Sequence, residues 1–381
     1  MKRYLIFFIT LFCFFTVVKA EEINLAENAK SAILIEASTG EVIYSKNENE
    51  RRSPASMTKM MSLILIMEEI ENNNLKLNEK IRISNNASSM GGSQIFLEEN
   101  ELIKVEDLIK GISMASANDA VVALAERIAG SETTFVYKMN QKAKALGLKN
   151  TYFKNSTGLD IEGHYSSAKD MSIIAKELIK HKKILEYSSK YESYLREKSN
   201  KKFWLVNTNK LIKSYEGMDG LKTGYTKNAG YCLTSTAKRN NQRLISVIMG
   251  EETSKIRNKE TEDLLNYGFN LYQTRTILKK GKVVYKYTND KSNVIKTDVI
   301  LKEDVNILEK KGHKRNNIKY KVKMFNKELP IKKGDTVGKI EIYENNKLIN
   351  KKDLTVKKDI KKASIFRLYL NNIINFLVGN Y

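Results

Sequence analysis

The stretch RSPASMTKMM, residues 52–61, sets a serine three places ahead of a lysine at the mouth of a strongly apolar run. Ser53 suits a helix cap and Pro54 the first helical position. Ser56 is then expected in the first turn, where backbone N–H groups have no partner inside the helix. Three residues on, nearly one turn, Lys59 falls on the same face, within reach of the Ser56 hydroxyl. A serine holds almost no alkoxide at neutral pH and needs a base. A lysine can serve only if burial or nearby positive charge keeps it neutral. Taken alone, the pair reads as a cap followed by a surface lysine.

Two further stretches change that reading. Ser116-Ala117-Asn118 falls where the helical pattern of residues 104–130 breaks, so a hydroxyl and a carboxamide can turn into a cleft. Lys222-Thr223-Gly224 starts a strand candidate. There Gly224 would let a substrate approach the backbone, while Lys222 and Thr223 present a positive charge and a hydroxyl to an anion. Each fragment is common. Their order and spacing within one domain are not.

The rest of the chain supplies the frame. SAILIEA and EVIY, joined by Ser38-Thr39-Gly40, predict a hairpin. Met57 to Glu71 is helical by pattern, as is the run opening at Ser166, where Ser167 and Asp170 are spaced as a cap. After Trp204 the period changes to two: LKTGYT, GYCLTSTAKR and QRLISVIMG predict three successive strands, and Ser254 to Tyr272 returns to helical spacing. First and last strands of such a sheet come from opposite ends of the domain, an α/β arrangement in layers. Beyond residue 276, KVVYKY, NVIKTDVIL, IKYKVKMF, GKIEIY and KKDLTV predict a small all-β module. The final stretch sets Ile365, Phe366, Tyr369, Ile373, Phe376 and Leu377 on one arc of a helix. That helix would lie flat on a membrane, helped by Lys357, Lys358, Lys361 and Lys362.

Residues 1–20 have a basic start, an apolar run and small residues before Glu21, the layout of an export signal. Cys13 would leave with it, so Cys232 remains alone and reads as a small core residue. One such cysteine and three histidines argue against a metal site. The charge is concentrated: residues 276–362 hold 25 Lys and Arg against 11 Asp and Glu, a net +14 of the chain's +22. On an exported protein that points to anionic lipid or wall polymer rather than nucleic acid.

With SMTK, SAN and KTG in this order, the chain resembles the penicillin-recognising serine enzymes. The flanking stretches GGSQIFL, STGLDIEGHYSSAKDM and MDGLKTGYTKNAGYCLTSTA are similar to the low-molecular-mass serine-type D-alanyl-D-alanine carboxypeptidases, over about residues 25–275. The resemblance implies a β-lactamase/DD-peptidase-like α/β domain, an antiparallel sheet flanked by helices. The expected division is an export signal at 1–20, the catalytic domain at 21–275, the all-β domain at 276–358 and the amphipathic helix at 359–381. It also implies that Ser56 attacks the bond between two D-alanines of a peptidoglycan stem peptide, that Lys59 takes its proton and that Ser116 relays one to the leaving amine. Asn118 would hold the substrate amide, and Thr223 and Arg257 the terminal carboxylate. Lys222 would keep the local potential positive, and the N–H groups of Ser56 and Tyr225 would form the oxyanion hole. Tyr225 stands where other members can carry histidine. β-Lactams would acylate Ser56, and no cofactor or metal is implied. The expected location is the periplasm or the outer face of the cytoplasmic membrane, with peripheral attachment. A β-lactamase is the nearest alternative, but its usual E-x-x-L-N stretch is not found between Asn118 and Lys222. A DD-endopeptidase or transpeptidase on the same fold, and a non-catalytic wall-binding protein, are the others. His164 is read as a structural hydrogen-bonding residue.

Overall fold

The computed structural model describes residues 24–197, 200–289 and 291–369, together with Ile373. The expected export signal at 1–20 lies outside them. The first domain is built on strands β1 (Ser31–Glu36), β2 (Val42–Lys46), β3 (Met218–Thr226), β4 (Gly230–Arg239) and β5 (Gln242–Glu251). They form one antiparallel sheet in the order β2-β1-β5-β4-β3. The amino-terminal hairpin therefore adds to the edge of a later meander, and β3 lies at the opposite edge.

Every residue of β1 is buried, because both faces of the sheet are covered. Alternation sends Ile33 and Ile35 into one core with α1 (Lys59–Glu71) and α2 (Asn118–Ala129). Ala32 and Leu34 point to a second core, filled from the other side by Leu264, Leu265 and Phe269 of α4 (Ser254–Leu271). Gly268 makes that contact possible: a Cβ there would stand 2.6 Å from Leu244 Cδ1 and 3.0 Å from Leu34 Cδ2. Between α2 and β3 runs α3 (Ala168–Leu178), whose Ser167 hydroxyl accepts from the Asp170 N–H.

Beyond α4 come β6 (Tyr272–Leu278), β7 (Val283–Thr288), β8 (Lys296–Leu301), β9 (Val305–Lys310), β10 (Ile318–Met324), β11 (Gly338–Glu344) and β12 (Lys347–Val356). Five make a sheet in the order β7-β8-β12-β11-β10, and β6 pairs with β9 in a separate ribbon. The sequence reading missed β6 and β9. Tyr272 to Leu278 follows a helix with no turn signal between, and Val305 to Lys310 (VNILEK) offers a single apolar–polar–apolar step before Leu308 breaks the alternation. The expected boundary at 275/276 falls inside β6. Arg315 ties the module to the first domain, donating to Glu41 (2.7 Å) and to Glu344 (2.6 Å). At the far end, residues 360 and 362 are extended, bridged to Ile331 and Ser292, so a helix does not begin at 359. A helical turn occupies 365–369 with Ile365, Phe366 and Tyr369 exposed, and residues 370–372 and 374–381 of the expected amphipathic helix lie outside the described residues.

Candidate active site

The chain enters the Ser56 segment through a strained turn. Ala55 takes a left-handed φ of 46°, which costs a residue with a Cβ of order 1–2 kcal/mol. Ala55–Thr58 then form a 3-10 turn, and α1 starts only at Lys59. This corrects the expected cap: Pro54 precedes the turn rather than opening a helix, no side chain caps it, and the Ser53 hydroxyl donates to Asp160 Oδ1 at 3.1 Å instead. The 3-10 geometry matters because i and i+3 side chains eclipse. Lys59 Nζ donates to Ser56 Oγ at 2.8 Å.

Lys59 is wholly buried, and its second hydrogen bond goes to the Thr157 carbonyl at 2.7 Å rather than to a carboxylate. Burial first, and then the charge of Lys222, hold its pKa well below the ordinary lysine value, while Asp119 opposes the shift. Lys222 is 1% exposed and donates to the Thr223 carbonyl at 2.9 Å. Burial, and next the charge of Arg257, bring its pKa down to about 7. Arg257, also buried and itself lowered by burial, donates to Asn258 Oδ1 at 2.7 Å. The field of Arg257 thus reaches Lys222, and that of Lys222 reaches Lys59.

Two glycines bring the backbones together. A Cβ at Gly224 would lie 2.9 Å from the Pro54 carbonyl and 3.1 Å from Ala55 Cβ. The space is filled by the Ser56 turn and not by a substrate, which corrects the role expected for Gly224: it lets edge strand β3 pack against the nucleophile's backbone. At Gly158, φ is +84° and a Cβ would fall 1.9 Å from the Ala55 carbonyl, so this position presses the Thr157 carbonyl toward Lys59 from the other side. Thr223 Oγ1 donates to Thr208 Oγ1 at 2.8 Å. Tyr225 is exposed, its ring 4.2 Å from that of Tyr231. Because β3 is an edge strand, one row of its N–H and C=O groups points away from the sheet.

The third segment leaves a π-helical turn, Gly111–Ala115, and places Ser116 in the left-handed region (φ 65°) before α2 begins at Asn118. Ser116 and Asn118 are 4% and 3% exposed, although an ordinary surface cap would be open to water. Asn118 Nδ2 donates to the Gly91 carbonyl at 2.7 Å and its N–H to the Ser93 carbonyl at 2.7 Å. Next to it, the buried Asp119 carboxylate accepts from the Ile95 and Leu97 N–H groups, both at 3.1 Å.

Sequence reasoning overlooked Thr157, Gly158, Thr208 and Asp119. The Gly in STGLD was the one available signal, since a glycine inside a polar run marks either a turn or a close approach. His164 does not join the site. Its Nδ1 accepts from the Lys154 N–H at 3.1 Å, its Nε2 faces Thr58 Oγ1 at 2.8 Å, and burial lowers its pKa to about 4, so it is a neutral strut. Cys232 is a buried core thiol, raised to about 11 by burial.

Against known proteins, residues 17–253 match the family model described as D-alanyl-D-alanine carboxypeptidase, and residues 272–362 match that of the penicillin-binding protein 5 C-terminal domain. D-alanyl-D-alanine carboxypeptidase DacF of Bacillus subtilis is 50% identical over 341 residues, 89% of this chain and 88% of its own length. DacC of Escherichia coli is 34% identical over 351 residues, 89% of this chain and 86% of its own. Among solved structures, penicillin-binding protein 5 from Haemophilus influenzae superposes with a TM-score of 0.69 at 32% identity, covering 88% of this chain and 98% of that one. Penicillin-binding protein D2 from Listeria monocytogenes, in an ampicillin-bound form, has a TM-score of 0.58 at 34% identity, covering 64% and 98%.

Proposed function

The chain belongs to the serine-type D-alanyl-D-alanine carboxypeptidase family, and from that premise we propose that Ser56 is the nucleophile, Lys59 its base and the Ser116–Asn118 turn and β3 edge its substrate cradle. One observation carries the reading: a buried amine without a carboxylate partner, 2.8 Å from a serine hydroxyl. A lysine held neutral accepts the Ser56 proton as Oγ bonds to the carbonyl carbon of the penultimate D-alanine. Negative charge builds on the carbonyl oxygen, and the Ser56 and Tyr225 N–H groups receive it. A donor so placed is worth about 10²–10³ in rate. The tetrahedral species collapses, the C–N bond breaks, and the proton passes through Ser116 to the leaving D-alanine amine. Water then attacks the ester and restores Ser56.

Asn118 has one amide hydrogen committed to Gly91, which fixes the carboxamide and leaves its oxygen for a substrate N–H. Lys222, Thr223 and Arg257 supply the positive, hydroxyl-bearing wall for the terminal carboxylate, and the Lys222 charge favours a neutral Lys59. A β-lactam presents the same carbonyl and carboxylate but leaves the acyl-enzyme slowly. Residues 1–20 are read as an export signal. The exposed Ile365, Phe366 and Tyr369, beside a basic module, support peripheral attachment to an anionic membrane surface.

Mass spectrometry after incubation with a penicillin tests the site. A single adduct is expected on the peptide containing Ser56 and none on Ser56→Ala, together with D-alanine release from a diacyl-D-Ala-D-Ala tripeptide by the wild type alone. An adduct on any other residue, or release by Ser56→Ala, overturns the assignment.

A further inference from the structure

The turn at residues 37–41, between β1 and β2, is a seam between the two domains. Asn306 Nδ2 donates to its Ser38 hydroxyl at 3.1 Å, and Arg315 reaches its Glu41 at 2.7 Å. Two lysine amines converge on the same turn, one from each domain. Lys352 of β12 is buried and donates from Nζ to the Ser38 carbonyl at 3.0 Å. Lys176 of α3 lays its Nζ against Gly40, where a Cβ would stand 2.8 Å from it. Each charge is felt at the other: burial first, and then Lys352, lower the Lys176 pKa, while Glu36 opposes the shift.

Both amines line one groove of about 480 Å³, a volume within the range of small-ligand sites. It carries five cations against three carboxylates. Four of the cations are paired: Lys180 with Glu177 (2.6 Å), Arg243 with Asp219 (2.7 Å), Lys351 with Glu341 (3.2 Å) and Lys352 with Glu303 (3.1 Å). The fifth, Lys176, makes no hydrogen bond or ion pair with any described residue. The remaining carboxylates are engaged elsewhere. Glu36 accepts from the Ser38 hydroxyl and the Thr39 N–H, and Asp353 from the Thr336 hydroxyl at 3.3 Å. An ammonium held beside a second ammonium in a partly dry groove, with no counter-charge of its own, is unfavourable, and an apolar side chain there would remove the repulsion. The groove is thus one anion short.

We propose that this groove binds a phosphoryl group, as inorganic phosphate or a phosphate monoester, between Lys176 and Lys352. At neutral pH such a group carries a charge of about −1.5 to −2, which matches two ammonium groups where a carboxylate matches one. Its oxygens accept from amines that stand on different elements, and lysine serves here as a compact point charge. None of Ser56, Lys59, Ser116, Asn118 and Lys222 lines the groove, so the site is separate from the crevice and independent of the chemistry proposed there. Because α3 belongs to one domain and β12 to the other, the bound anion ties the two together at their seam.

Thermal unfolding and calorimetric titration of the full chain test the site, with inorganic phosphate, glycerol phosphate, and sodium chloride at matched ionic strength. Both phosphates should stabilise the wild type beyond chloride, and the shift should follow a single binding constant. In Lys176→Met the phosphate affinity should fall by about tenfold or more, the loss of one charge-assisted contact. The anion-free variant should unfold at the wild-type temperature or above it, because an unpaired amine has gone. That second readout separates a built site from a damaged fold. Lys286→Ala, on the exposed face of the module, should leave the phosphate response unchanged. Vesicles containing phosphatidic acid distinguish the source of the group: co-sedimentation that weakens in Lys176→Met assigns a lipid headgroup, and co-sedimentation unaffected by it assigns a soluble phosphate ester. No stabilisation beyond chloride, an unchanged affinity in Lys176→Met, an equal loss in Lys286→Ala, or a lower anion-free unfolding temperature in Lys176→Met would each overturn the proposal.

Discussion

In the crevice, Lys59 and Lys222 are 0% and 1% exposed, and their amines meet a hydroxyl and two carbonyls. In the C-terminal module, Lys286, Lys327 and Lys351 stand largely in water opposite Asp298, Asp335 and Glu341. One residue type is thus used in two ways within a single chain. Where water is excluded and no carboxylate compensates, protonation is costly and the amine becomes a base or a titrating cation. Where water remains, the same side chain keeps its charge, gives the module its basic surface and contributes little to stability. Environment, and not the count of +22, separates the chemistry of one half from the electrostatics of the other.

Five measurements would break or sharpen this contrast. The largest effect is expected for Lys59→Met, which removes the base while keeping an apolar chain of similar length: acylation by penicillin should slow by about 10³-fold or more, with the fold intact by circular dichroism. Retention of more than a tenth of the rate would mean that burial has not made Lys59 the base. Next is the pH profile. Lys59 must be neutral, so kcat/KM falls as pH drops through its lowered pKa. Lys222 must be charged in the free enzyme, so kcat/KM also falls as pH rises through about 7. In Lys222→Met the alkaline limb should vanish along with most of the activity. An alkaline limb that survives the substitution would assign that limb elsewhere.

The same two groups set a stability trend. Both folded pKa values lie below those of the unfolded chain; for Lys222 the unfolded state binds more protons between about pH 7 and 10.5, so stability rises with pH there. Lys222→Met should flatten that rise in thermal scans, and an unchanged slope would argue against a lowered Lys222 pKa. In the module the effects shrink. Arg315→Ala, which cuts the hydrogen bonds to Glu41 and Glu344, should lower the unfolding temperature by about 2–4 °C without changing acylation. Lys286→Ala, on the exposed pair with Asp298, should leave both unchanged, and a measurable loss there would show that surface pairs in this module act as a network.

Much of the frame was legible from one sequence. A near-continuous apolar run such as Ala32–Ile35 reports a sheet covered on both faces, and β1, β3, β4, β5 and α4 lie close to where strand and helix spacing predict them. The Ser167 cap was readable because its chemistry is local. What failed did so where local rules lost to distant neighbours. Ser53 has the chemistry of a cap, yet its hydroxyl is drawn to Asp160, over a hundred positions away in sequence. Gly224 suggested room for a substrate, and the room is filled by Pro54. Strands β6 and β9 pair across an intervening hairpin, and their partners cannot be read from either segment alone.

The sequence by itself determined which groups are available: a hydroxyl and an amine three residues apart, a Ser-Ala-Asn break and a Lys-Thr-Gly edge. Those depend on residue type and short spacing, which local geometry converts into a shared face. Only the tertiary structure decided that Lys59 is dry, and that the charge of Arg257 bears on Lys222 and that of Lys222 on Lys59. Solvent exclusion and the summed field of distant charges belong to the packed whole, and no window of the chain contains them.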